Sequence, residues 1–170
     1  MFKGKELVTS DEMVMKIKAA TDARRDDDLV IVARTDALTV DGIDAALRRA
    51  ESYAAAGADC IFVEGPRTIE EAARIGKAID KPLVYNITPT GSVPAIDAAT
   101  AEQLGFRFLS FSVYVLLAAI PGMVDFLKTM RQTGDIKAAG ARAASMKEYL
   151  DLLGYDDWKR CEEIYATGKP

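Results

Sequence analysis

Histidine is absent from this chain of 170 residues. That removes Ser-His-Asp triads, Cys-His dyads, His-x-x-x-His metal sites and histidine acid–base chemistry together. Cysteine is scarce as well. The two present, Cys60 and Cys161, lie far apart and outside any Cys-x-x-Cys pair, so neither a disulfide framework nor a structural zinc site is expected. Cys60 sits in an apolar run, where a buried inert thiol is the usual role. No apolar stretch approaches the roughly 20 residues of a membrane span. The longest, Val113 to Ile120, is broken at Pro121. The opening Met1-Phe2-Lys3-Gly4-Lys5 lacks the apolar core of a signal peptide, so a cytoplasmic location with no membrane partner is expected. Basic excess is missing too. With 22 basic and 26 acidic residues the net charge is −4, which argues against nucleic acid as a partner. The dense run Arg24-Arg25-Asp26-Asp27-Asp28 mixes signs and reads as a solvated helix end and loop. Any catalysis must therefore rest on carboxylates, arginine, lysine, tyrosine or hydroxyls, or on groups from another chain.

What is present is a repeating pattern. A 49% hydrophobic, 28% charged chain of this length suits a soluble globular protein with a real core. Four short apolar runs recur, at Leu29–Ala33, Cys60–Val63, Leu83–Tyr85 and Phe106–Phe111, with helix-like stretches between them. That is the pattern of β-α units with a parallel sheet. Ser10, followed by Asp11 and Glu12, is expected to cap a first helix that fades near Asp26–Asp28. Asp41-Gly42 opens a second helix, which Gly57 ends. Thr68, with Glu71 three residues on, has a capping-box pattern for a third. Pro82 opens the third strand, Thr88 to Pro94 is a loop, and a short helix spans Ile96 to Leu104. A long helix runs from Val113 to Thr133, where Pro121 is expected to kink or restart it. Ser145 caps a helix to about Leu153, and a last one runs from Asp156 to Tyr165 with Trp158 as its anchor. The tail 167–170 is expected to fray. Four β-α units make either a half barrel or a small open sheet, because a closed (β/α)8 barrel needs eight units and typically ~250 residues.

In such folds the chemistry sits at the carboxyl ends of the strands. There the runs end in Arg34-Thr35-Asp36, in Glu64, in Asn86-Ile87-Thr88, and in Ser110 and Ser112. An arginine, a glutamate, an asparagine and a hydroxyl at one mouth suit a small carboxylate. Each has a plainer alternative. In it Arg34 only pairs with Asp36, Glu64 only partners Arg34, and Asn86 and Thr88 only cap a loop. A lone Asp36 does not make a Mg²⁺ site, and no glycine-rich phosphate cradle is present.

At Ile31-Val32-Ala33-Arg34-Thr35-Asp36-Ala37 the chain resembles the isocitrate lyase / phosphoenolpyruvate mutase superfamily, in particular its methylisocitrate lyase, dimethylmalate lyase and carboxyvinyl-carboxyphosphonate phosphorylmutase branch. Gly4-Lys5-Glu6-Leu7-Val8, Ala54-Ala55-Ala56-Gly57-Ala58-Asp59, Phe62-Val63-Glu64 and Asn86-Ile87-Thr88 carry the resemblance further. It implies an α/β fold that is the C-terminal half of a (β/α)8 barrel. A half-barrel domain is expected over 1–134 and a C-terminal helical extension over 135–170. It implies a homo-oligomer and, in the full family enzyme, a Mg²⁺ ion whose ligands are absent from this chain. It also implies carbon–carbon cleavage of a small 2-hydroxy or 2-oxo dicarboxylate of the methylisocitrate, dimethylmalate or oxaloacetate type. Arg34 and Glu64 would be catalytic, and Arg34, Glu64, Asn86, Ile87 and Thr88 would bind substrate. Without the first half of the barrel, little or no activity is expected. Two departures stand out. The family's Glu-Phe-Gly after Asn-x-Thr is replaced by Pro89-Thr90-Gly91, and its Tyr-Pro and later arginine by Phe111-Ser112 and Leu116-Leu117. The second change removes an anionic contact and favours a substrate with fewer carboxylates than methylisocitrate. The alternatives are a non-catalytic half-barrel that oligomerises or docks on a partner, and a phosphonate-forming mutase or hydrolase of the same superfamily.

Overall fold

The computed structural model describes residues 4–166. Its contacts divide the chain into two units, Met1–Val115 and Leu116–Pro170. The first alternates helix and strand: α1 Ser10–Ala23, β1 Val32–Thr35, α2 Ala37–Val40, α3 Ile43–Ala55, β2 Cys60–Val63, α4 Ile69–Ala78, β3 Val84–Ile87, α5 Ala98–Gln103 and β4 Phe108–Phe111. β1 pairs with β2 and β3 with β4, both parallel, and a parallel bridge from Ile61 to Leu83 joins the two pairs. The spatial order thus follows the sequence, as successive β-α units require.

The register separates two faces. Arg34 is opposite Phe62, Asn86 is opposite Ser110, and Ile61 is opposite Leu83. Side chains alternate along a strand. Ala33, Ile61, Val63, Leu83, Tyr85 and Ile87 therefore share one face, and all of them are buried in the core. Val32, Arg34, Phe62, Val84, Asn86, Phe108 and Ser110 share the other. On that face Val32 and Phe108 are about half exposed.

The helices cover the first face because their apolar residues recur at helical spacing. Ala46, Ala50 and Tyr53 form the buried stripe of α3, and Ala72 and Ile75 that of α4. Small alanines let these helices approach the strands closely, and each fully buried Ile or Leu, such as Ile61 or Leu83, contributes about 1.5–3 kcal/mol. The closest approach is at Gly76 of α4. A Cβ there would collide with the Leu104 carbonyl oxygen and lie 2.8 Å from the Leu104 carbonyl carbon. Gly105, at φ +93°, completes the contact from the other side. Tyr85 meets the Phe106 ring edge-on at 5.0 Å, and its hydroxyl donates to the Pro94 carbonyl at 2.8 Å, tying down the loop that follows β3.

Several elements depart from the sequence expectation for local reasons. The cap of α1 is Thr9, whose hydroxyl accepts from the Glu12 amide, so Ser10 is the first helical residue. β1 starts at Val32 instead of Leu29. Asp59 accepts from the Ile31 amide at 2.8 Å and from the Arg24 guanidinium at 2.8 Å, and Arg24 also donates to the Leu29 carbonyl. These bonds hold residues 29–31 in an approach segment with Leu29 and Val30 exposed. The backbone bond from Ile31 is the main reason the Asp59 carboxyl is held below its ordinary pKa. Thr68 caps α4 as expected, but the Glu71 carboxylate returns to the Arg67 amide instead of the Thr68 amide.

A long helix, α6 Tyr114–Thr133, begins at the end of the first unit and continues through the second. It passes Pro121 without restarting, since a proline removes one hydrogen bond of the ladder and the flanking turns hold the rest. The second unit continues with α7 Ile136–Ala139, a 3₁₀ turn Gly140–Arg142, α8 Met146–Leu152 and α9 Tyr155–Tyr165. Ser145 and Glu148 form a full capping box on α8. Trp158 is exposed and anchors nothing among the described residues, because α9 buries no side chain. The tail 167–170, expected to fray, lies outside the described residues. No described helix is long and apolar enough to cross a membrane.

Candidate functional site

Arg34, in β1, points to the open face opposite Phe62, whose ring centroid lies 4.9 Å from the guanidinium carbon. Its Nε donates to Asp36 Oδ1 at 2.8 Å, and its Nη2 lies 3.4 Å from Glu64 Oε2. Lys5 Nζ reaches the second Asp36 oxygen at 3.0 Å. Asp36 thus orients Arg34 through Nε while the guanidinium stays half exposed. Burial by itself lowers the pKa of this guanidinium, but the hydrogen bond to Asp36 and the charges of Glu64 and Asp36 outweigh burial and raise it. For Asp36, burial raises the pKa, and the bonds from Arg34 and Lys5 overcome that to leave it below its ordinary range.

Glu64 follows β2 and is the more deeply buried partner, with 13% of its side chain exposed. Its Oε2 is fully desolvated and accepts no hydrogen bond among the described residues, so the guanidinium charge at 3.4 Å is what balances it. A buried carboxylate oxygen without a donor is costly, and the Arg34 guanidinium offsets part of that cost. Asn86 is buried in β3, and Ser112 Oγ donates to its Oδ1 at 2.5 Å. That bond occupies the carbonyl side of the amide and leaves the N–H groups to donate elsewhere. Thr88 follows β3 and begins a hydroxyl series, to Thr90 at 2.9 Å and on to Ser92 at 2.8 Å. Tyr114 donates to the Thr88 carbonyl at 3.4 Å.

Arg34 and Glu64 are in direct contact, and Glu64 and Thr88 line one cleft of about 320 Å³. Asn86 lies on the same sheet face. Ile87 points the other way, into the core at 4% exposure, so only its backbone can reach the mouth. Sequence reasoning missed Lys5. Nothing local marks it, because its partner Asp36 lies one helix and one strand away.

Mg²⁺ needs several oxygen ligands at once. The described residues do not supply such a set. Both Asp36 oxygens are held by cations, Glu64 faces Arg34, and no three acidic, cysteine or histidine side chains cluster among the described residues.

The Asp36 pairing predicts a pH dependence. A carboxylate whose folded pKa is depressed contributes stability that is present above its unfolded value of about 3.9 and lost as pH falls through the folded value. Urea denaturation at pH 7 and pH 3 should show Asp36→Asn less sensitive to acid than the unmodified chain. The difference should be below about 1 kcal/mol, because the pair is partly solvated. Equal acid sensitivity would refute the pairing.

Comparison with known proteins gives a consistent set of similarities. A family profile described as phosphoenolpyruvate phosphomutase matches residues 1–131. The chain is 37% identical to 2,3-dimethylmalate lyase of Eubacterium barkeri over 166 residues, covering 98% of this chain and 57% of that protein. It is 35% identical to 2-methylisocitrate lyase of Aeropyrum pernix over 158 residues, covering 93% of this chain and 51% of that one. A crystal structure of phosphonopyruvate hydrolase in complex with oxalate and Mg²⁺ superposes with a TM-score of 0.76 at 30% identity, covering 98% of this chain and 60% of that chain. The chain therefore spans about half the length of the curated relatives it matches.

Proposed function

The chain belongs to the phosphoenolpyruvate mutase / isocitrate lyase superfamily, and from that premise we propose that it is the half-barrel portion of a carbon–carbon lyase for a small 2-hydroxy or 2-oxo dicarboxylate. One observation carries this reading: Arg34 and Asn86 lie on one face of the parallel strands, and Glu64, in contact with Arg34, lines one cleft with Thr88. The substrate class is supported by the relatives named for dimethylmalate and methylisocitrate.

In this reading Arg34 grips a substrate carboxylate through the donors that Asp36 leaves free. The Asn86 amide, turned by Ser112, donates to the same end of the substrate, and the Thr88 hydroxyl donates toward its other carboxylate. The Glu64 carboxylate, at the cleft wall, accepts from the hydroxyl on the carbon that becomes a carbonyl. Cleavage passes the electrons of the broken carbon–carbon bond to the carbon beside the other carboxylate, and fixed donors near that end favour the developing enolate. Mg²⁺ is expected for the full family enzyme, and the described residues offer no ligand set for it. On this reading the protein works in the cytoplasm as a homo-oligomer.

A steady-state assay with dimethylmalate, methylisocitrate and oxaloacetate plus Mg²⁺ should give at most trace turnover for this chain alone. Turnover matching a full-length relative would overturn the incompleteness of the site, and failure to bind any of these acids would overturn the site itself. The half-exposed Val32 and Phe108 on the open face favour a second reading, a non-catalytic half-barrel that associates through that face. A stable monomer in light scattering would count against it.

A further inference from the structure

The cleft beside the Arg34–Glu64 pair has a chemistry of its own. Its walls carry two cations, Lys5 and Arg67, and the hydroxyls of Thr88, Thr90 and Ser92, with Glu64 as the acid at one end. Glu64 is already balanced by Arg34 and Lys5 by Asp36. Arg67 is different. Its backbone amide donates to Glu71 at 2.7 Å, and its guanidinium has no partner among the described residues. The three hydroxyls form two bonds in series, Thr88–Thr90 and Thr90–Ser92. Three hydroxyl protons less the two used in those bonds leave one O–H of the series free to donate. An unpaired guanidinium facing a hydroxyl series that can point a proton outward is an anion site in chemical terms. At about 320 Å³ the cleft is the size for a small acid.

We propose that Arg67 and the Thr88–Thr90–Ser92 hydroxyls bind the distal carboxylate of a dicarboxylate whose first carboxylate is held by Arg34 and Asn86. The proposal rests on the carboxylate-binding reading of Arg34. It gives a function to the Pro89-Thr90-Gly91-Ser92 segment.

The test compares malate with 2-hydroxybutyrate. Both have four carbons and a 2-hydroxy acid head, and they differ by the distal carboxylate. Binding to the chain is followed by NMR titration, with circular dichroism confirming that each variant is folded. Arg67→Met and Thr90→Val are expected to weaken malate binding, by about tenfold for Arg67→Met, and to leave 2-hydroxybutyrate within about twofold. If Arg67→Met leaves malate affinity unchanged, or weakens both acids equally, the distal subsite is wrong. Arg34→Met separates the two claims, since it should weaken both acids. If it weakens neither, or if the unmodified chain binds neither acid, the carboxylate reading fails and the subsite falls with it.

Discussion

Gly76→Ala is expected to destabilise the chain by about 3 kcal/mol or more, or to prevent folding. Helix propensity alone points the other way, since alanine is favoured over glycine inside a helix by about 1 kcal/mol. Space decides. The new methyl would enter the volume of the Leu104 carbonyl oxygen, and even a Cβ on Gly105 would come within 3.1–3.4 Å of the Gly76 backbone. Both neighbours are main chain, so no rotamer change relieves the overlap. The contact joins α4 to the turn before β4, and through Phe106 and Tyr85 it reaches the strand that carries Asn86. Gly122→Ala in α6 is the control. A Cβ there meets nothing within 4 Å, so stability should rise by up to about 1 kcal/mol. Urea denaturation followed by circular dichroism compares the two. A midpoint for Gly76→Ala at or above that of the unmodified chain would remove this contact from the account of the fold.

Arg34→Met is expected to weaken dicarboxylate binding by about a hundredfold, as loss of a two-pronged charged contact implies. Arg34→Lys should recover little, because an ammonium cannot reproduce the planar fork that Asp36 orients. The same substitution strips Glu64 Oε2 of the charge that balances it. Breaking a fully buried pair costs about 3–5 kcal/mol. Here the arginine is half exposed and water softens the loss, so about 1–2 kcal/mol is expected. The double variant Arg34→Met/Glu64→Gln separates the effects: stability should return while binding stays lost. Equal malate affinity in Arg34→Met and the unmodified chain, measured by NMR titration, would end the proposed role.

Much of this arrangement is readable before any coordinates. β2 and β3 are bounded by strong signals, Gly57-Ala58-Asp59 before one and Pro82 before the other, and both elements fall where those signals place them. The register puts Asn86 opposite Ser110, on the face away from the core, and the period-two spacing extends that face to Thr88 just past the strand. β1 is harder because Leu29 and Val30 look like strand yet are exposed, held outside it by Arg24 and Asp59 across a long sequence gap. The four-residue helices α2 and α7 are too short to generate a periodicity. Lys5 and Arg67 reach the cleft through tertiary placement alone, and no spacing rule links them to Thr88.

Asn86 and Ile87 are neighbours in sequence, yet one faces the open mouth and the other is locked in the interior. A single step along β3 divides two evolutionary pressures. Positions on the mouth side can be exchanged to suit a new acid while the scaffold beneath keeps its shape. The interior side is held by packed volume, so an exchange at the mouth leaves the core contacts in place.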